Sequence, residues 1–136
     1  IQRGALEMLQ VGRRMASQAQ APDLPADEPL GRWKLTGEIC DGKCLAGAMR
    51  PGTGLAHKAC ANLCLTGDVP PVFVASEPLI NDLVGSEFLL VAGPEGGAMA
   101  PSLLDQVGSF VEIEGEVIRR QDLLIFHADP ATVKVL

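Results

Sequence analysis

Val111, Ile113, Gly115 and Val117 alternate with Glu112, Glu114 and Glu116, and no other stretch of the 136-residue chain restricts the fold as much. A period of two is the signature of a strand with one buried and one solvated face, so this segment commits the chain to a sheet. Arg119-Arg120-Gln121-Asp122 makes a turn, and 123–127 returns as the second arm of a hairpin. Trp33, Leu35, Gly37 and Ile39 alternate with Arg32, Lys34, Thr36 and Glu38 in the same way. Residues 71–75 and 87–92 read as short strands rich in Val, Phe and Leu, the first confined by Pro70 and Pro71 to an edge or a strand start. Residues 79–84 between them form a turn or short helix, and 132–136 closes an edge.

Fifteen Gly and ten Pro cut the chain into short elements. A strand, a Gly-rich excursion, two strands, a short helix over 102–107 with Ser102 as its N-cap, and a long hairpin follow one another. This is the element order of a mainly β, OB-like five-stranded Greek-key barrel. Before it, Ala5, Met8, Leu9, Met15 and Ala16 recur at helical spacing, which predicts an N-terminal helix over 1–20. Residues 21–31, with three Pro and three acids, have the composition of an extended linker. The barrel domain is expected over 32–136. Ile1 suggests that a segment precedes this chain, and a membrane anchor there would make 1–20 a juxtamembrane helix.

Charge is unevenly spread. The net charge is −6, yet residues 68–136 alone carry −8 and the segment 36–67 carries +1. With one Trp, four Phe and no Tyr, an acidic chain lacks both the phosphate-neutralising charge and the stacking platform of a nucleic-acid binder, so no nucleic-acid partner is expected. No P-loop, dinucleotide fingerprint or Ser-His-Asp pattern is present, and no enzymatic activity is expected. His127 reads as a surface or satisfied core histidine. The Glu112, Glu114 and Glu116 row reads as a solvated face, because side chains on one straight strand cannot surround an ion.

Chemistry concentrates in one window. All four cysteines of the chain lie there, as Cys40-x3-Cys44 and Cys60-x3-Cys64, with His57 three residues before the second pair. Residues 41–56 read as a loop and 57–65 as a short helix that puts His57, Cys60 and Cys64 on one face. Disulfides are the first expectation. Bridges within a helix are disfavoured by geometry, so the loop would be tied to the helix. Cys40 with Cys64 and Cys44 with Cys60 is the favoured pairing, and the crossed pairing is the alternative. Each bridge would contribute about 3 kcal/mol. A second expectation is a zinc site using Cys40, Cys44, Cys60 and Cys64, with His57 in place of one of them, although the x3 spacing departs from the usual x2. Thiol redox chemistry by a cysteine near His57 and Lys58 is a third, and copper capture with Met49 fits by ligand type.

The stretches GEICDGKC (37–44), HKACANLC (57–64) and PPVFV (70–74) resemble a group of uncharacterised bacterial extracytoplasmic domains. These are OB-like, are often attached to an N-terminal membrane segment, and share a Gly-x-Ile/Val-x-Asp-x-x-Cys opening and a Cys-x3-Cys helix. The resemblance covers about residues 32–75. Cys44, Cys60 and Cys64 have counterparts there, whereas Cys40 is an addition. The resemblance implies an OB-like fold and a periplasmic location, and membrane-associated protein partners are expected. Together with the residues it leads to the expectation of a non-catalytic accessory domain with a Cys-braced, slightly basic contact loop.

Overall fold

The computed structural model describes Gln2–Arg3, Leu6–Glu7, and residues 25–79 and 88–136. The N-terminal helix expected over 1–20 falls almost wholly outside them; the four described residues pair as a two-residue antiparallel ladder. The turn or helix expected over 79–84 likewise falls outside, save for Leu79.

From residue 28 onward the elements are β1 (Glu28–Asp41), α1 (Lys58–Thr66), β2 (Pro71–Ala75), β3 (Phe88–Ala92), β4 (Phe110–Arg120), β5 (Leu123–Ala128) and β6 (Lys134–Val135). A single-turn π-helix at Cys44–Ala48 and a 3-10 turn at Leu55–His57 lie between β1 and α1, where a plain loop was expected. Strands are ordered β1-β2-β3-β5-β4, and β4 pairs back onto β1 to close the barrel, with β6 added along β4. Every pairing in the barrel is antiparallel except β3 with β5. A closed five-stranded mixed barrel with this order is OB-like, as the element order predicts.

Closure depends on β1 serving two neighbours. Its first part pairs with β4 and its last part with β2, and the two ladders overlap at Gly37 and Glu38. At the crossover the backbones come so close that a Cβ on Gly37 would lie 2.1 Å from the Val74 carbonyl oxygen. Gly115 plays the same part in β4, where a Cβ would lie 2.3 Å from the His127 carbonyl oxygen. Each glycine therefore marks a point of coiling that a flat strand would not need.

The inward face follows the alternation. Leu35, Ile39, Val111, Ile113 and Val117 are buried with Phe73, Leu89 and Phe126, and the rings of Phe73 and Phe126 meet edge to face at 5.5 Å. The helix expected over 102–107 is a 3-10 segment, Pro101–Gln106, that buries Leu103 in the same core. Its start differs from expectation: Pro101 supplies the first turn and Ser102 caps nothing, because a proline at this point already fixes a helical φ and lacks the N–H a cap would serve.

The linker expected over 21–31 also ends sooner. Glu28–Gly31 already belong to β1, with a register shift between Pro29 and Gly31, and Asp27 and Glu28 form ion pairs with Arg120 and Arg119 at 2.6 Å. Proline is tolerated there because it lies at the bulged start of the strand. Glu112 and Glu114 face outward and pair with Lys34, Arg32 and Lys134, so the carboxylate row is a salt-bridged surface. Among the described residues no helix is long and apolar enough to cross a membrane.

Candidate metal centre

The excursion between β1 and β2 is anchored at its start by Asp41, the last residue of β1. Successive strand residues point to opposite faces, so Cys40 and Asp41 part company. Cys40 packs with Leu45, Ala46, Val72 and Phe88 in a small apolar cluster of its own. Asp41 enters the polar interior of the excursion and is fully buried. One of its carboxylate oxygens accepts the Cys44 backbone N–H at 2.8 Å, an N-cap-type bond that sets the loop's first bend. The other lies 2.7 Å from Nε2 of His57, itself buried.

α1 supplies the rest. The 3-10 turn ending at His57 runs directly into Lys58–Thr66, so His57, Cys60 and Cys64 share one helical face as their spacing predicts. A ring nitrogen of His57 and the thiols of Cys44 and Cys60 lie within 4.8 Å of one another, as do a carboxylate oxygen of Asp41 and the thiols of Cys44 and Cys64. Cys44 belongs to both groups. With Nε2 engaged by Asp41, Nδ1 is the ring nitrogen available to a further ligand, and it has no hydrogen-bond partner despite being buried. A buried ring nitrogen left bare costs free energy that something must offset.

Electrostatics points the same way. Burial first, and then the charge of Asp41, push the Cys44 thiol up to about 12. The same two causes raise Cys64. Burial and the nearby Asp41 therefore disfavour the thiolates of Cys44 and Cys64, and a bound cation would reverse that balance. Glu38, half-buried on the same side, is raised by burial, against which the Gly54 N–H acts at 2.6 Å.

Of the expected site residues, the structure brings Cys44 together with His57 and Cys60 in one group and with Cys64 in a second, and Cys40 is in neither. The disulfides expected for Cys40 with Cys64 and Cys44 with Cys60 are not formed. The strand's alternation is the reason for the first: it turns Cys40 toward the Val72 and Phe88 side. The spacing of the sequence assigns Asp41 no role, and the signal for it was Asp-x-x-Cys, which places the Cys44 N–H at the N3 position of an Asp N-cap. Met49 is exposed on the loop and is not among the converging donors. His127 is half-buried beneath Gly96, away from the cluster. Comparison of the chain with protein-family models, curated proteins and solved structures gives no match.

Proposed function

We propose that this chain is a metal-binding OB-like module in which the thiolates of Cys44, Cys60 and Cys64 and Nδ1 of His57 hold one zinc ion. The observation that carries this reading is the buried, unpartnered Nδ1 of a histidine whose Nε2 is held by Asp41. A metal-bound imidazole characteristically gives its other nitrogen to a carboxylate, which fixes the ring's tautomer and orientation. Three thiolates and one imidazole make a closed tetrahedral set, which is the pattern of structural sites that keep no open position for substrate. Sulfur-rich ligation also suits copper(I), so the ion's identity is part of the test.

In this reading the metal fastens α1 and the π-helical turn to the mouth of the barrel. Apart from Ala61, α1 buries little, so ligation supplies much of what packing does not. The domain is non-catalytic and presents its loop and helix to a partner outside the cytoplasm.

The test is elemental analysis of the native chain together with mass measurement after denaturation and thiol alkylation without reductant. One zinc per chain and four alkylated thiols are expected. Bridged thiols with no metal would overturn the reading in favour of a disulfide-braced loop. Cobalt substitution adds a check on the ligands: intense tetrahedral d–d and sulfur charge-transfer bands that change in His57→Ala and persist in Cys40→Ser.

A further inference from the structure

Next to the proposed metal centre, but built from none of its ligands, residues 46–53 curl around a concavity of about 360 Å³ walled by Gly47, Met49, Arg50, Gly52 and Thr53. Its shape is held at both ends. Gly52 sits so tightly on Cys44 that a Cβ would lie 2.5 Å from the Cys44 carbonyl oxygen. At the far end the Gly54 N–H donates to Glu38 at 2.6 Å and the Gly54 carbonyl accepts from the His57 N–H at 2.9 Å. Gly47 and Gly54 take φ of 112° and 84°, conformations open to glycine and strained for other residues.

The charge lining this hollow is positive. Arg50 is its one charged side chain, and no carboxylate contributes to the wall. The backbone N–H groups of Gly52 and Thr53 and the Thr53 hydroxyl have no partner among the described residues. Arg50 differs from most of the described cations in the same sense. Arg32, Lys34, Arg119, Arg120 and Lys134 each pair with a carboxylate, and Lys58 gives its ammonium to the Asp105 carbonyl. Arg50 and nearby Lys43 make neither kind of contact among the described residues. Elsewhere an excess of acid, −8 over residues 68–136, repels anions.

We propose that this hollow is a binding site for a small free oxyanion, a carboxylate or a tetrahedral phosphate-like group. Arg50 supplies the charge, and the Gly52 and Thr53 N–H groups with the Thr53 hydroxyl supply the directed hydrogen bonds. The volume falls at the small end of ligand pockets and leaves room for the rest of a small organic acid or phosphate beyond the oxyanion group. The site goes beyond the metal reading, since none of its donors is a metal ligand.

The experiment is a two-dimensional amide NMR titration of the whole zinc-loaded chain, with sulfate in one arm and succinate in the other, against sodium chloride at matched ionic strength. Saturable shifts of Gly52, Thr53 and the Arg50 side chain are expected, weakened at least ten-fold in Arg50→Gln and unchanged in Arg32→Gln. The arm that saturates first identifies the geometry the site prefers. Shifts that track ionic strength alone, or that survive Arg50→Gln intact, overturn the proposal. The titration is repeated on the zinc-free chain. Binding by a chain that takes no zinc would refute the metal reading and leave this one, and a zinc-loaded chain that ignores both anions would do the reverse.

Discussion

The barrel wall and the excursion between β1 and β2 settle their polar groups in opposite ways. Across β1 and β4 every cation meets a carboxylate at the surface, and the interior is left to Phe73, Phe126 and aliphatic side chains. In the excursion the buried groups are Asp41, His57 and Cys44, while Lys43 and Arg50 face solvent with no acid beside them. The barrel can stand on apolar burial alone. The excursion buries Leu45, Ala46 and Ala61, but it also buries Asp41 and His57 while leaving Leu55 and Leu63 exposed, a pattern that packing rewards only in part. Such an inversion is stable when coordination or binding compensates for it.

That contrast can be broken most forcefully from the barrel side. Phe126→Ala is expected to cost about 3–5 kcal/mol in chemical denaturation, because it removes a buried ring and its edge contact with Phe73 at once. Helix α1 should be lost along with the barrel, since the mouth to which it is fastened goes with it.

If the proposed zinc is bound, removing it with a chelator should act on the excursion alone. Amide exchange of α1 and residues 42–57 is expected to speed up sharply, while the β1, β4 and β5 amides keep their protection. Loss of protection throughout would show that the barrel also depends on the metal. Asp41→Ala should weaken zinc binding by about 10- to 100-fold, the usual cost of removing an outer partner of a ligating histidine. Cys40→Ser in the same competition assay should leave affinity unchanged, and a loss there would return Cys40 to the site.

The smallest expected effect lies on the barrel surface. Arg32 first, then Lys34, hold the Glu114 carboxyl below its ordinary 4.5. A carboxyl lowered on folding contributes stability that is present above the unfolded value and lost as pH falls through the folded one. Wild type should therefore lose its advantage over Glu114→Gln as pH drops below about 4.5. High salt should shrink the difference, because the group is exposed. A difference that salt leaves unchanged would mean that the pair is shielded from water.

The strands were legible because their signal is local. Trp33 to Ile39 and Val111 to Val117 each declare a buried face within seven residues, and both strands lie where the alternation puts them. The start of β1 was not legible, because Glu28 and Asp27 are held by Arg119 and Arg120, 91 and 93 residues away. Composition alone made that stretch a linker. In the site, the helical spacing of His57, Cys60 and Cys64 showed which side chains share a face. It could not show what they would face.

Periodicity and spacing settled the alternating strands, the helix that carries three of the four proposed ligands, and the element order of an OB-like barrel, because each depends on neighbours within a few residues. The tertiary structure decided the rest. Where β1 ends sets which of Cys40 and Asp41 turns toward α1, and the closure of β1 on β4 fixes the mouth over which the excursion folds. The choice of Cys44 over Cys40, and the pairing of Asp41 with His57, follow from strand alternation acting at a point that only the assembled barrel defines.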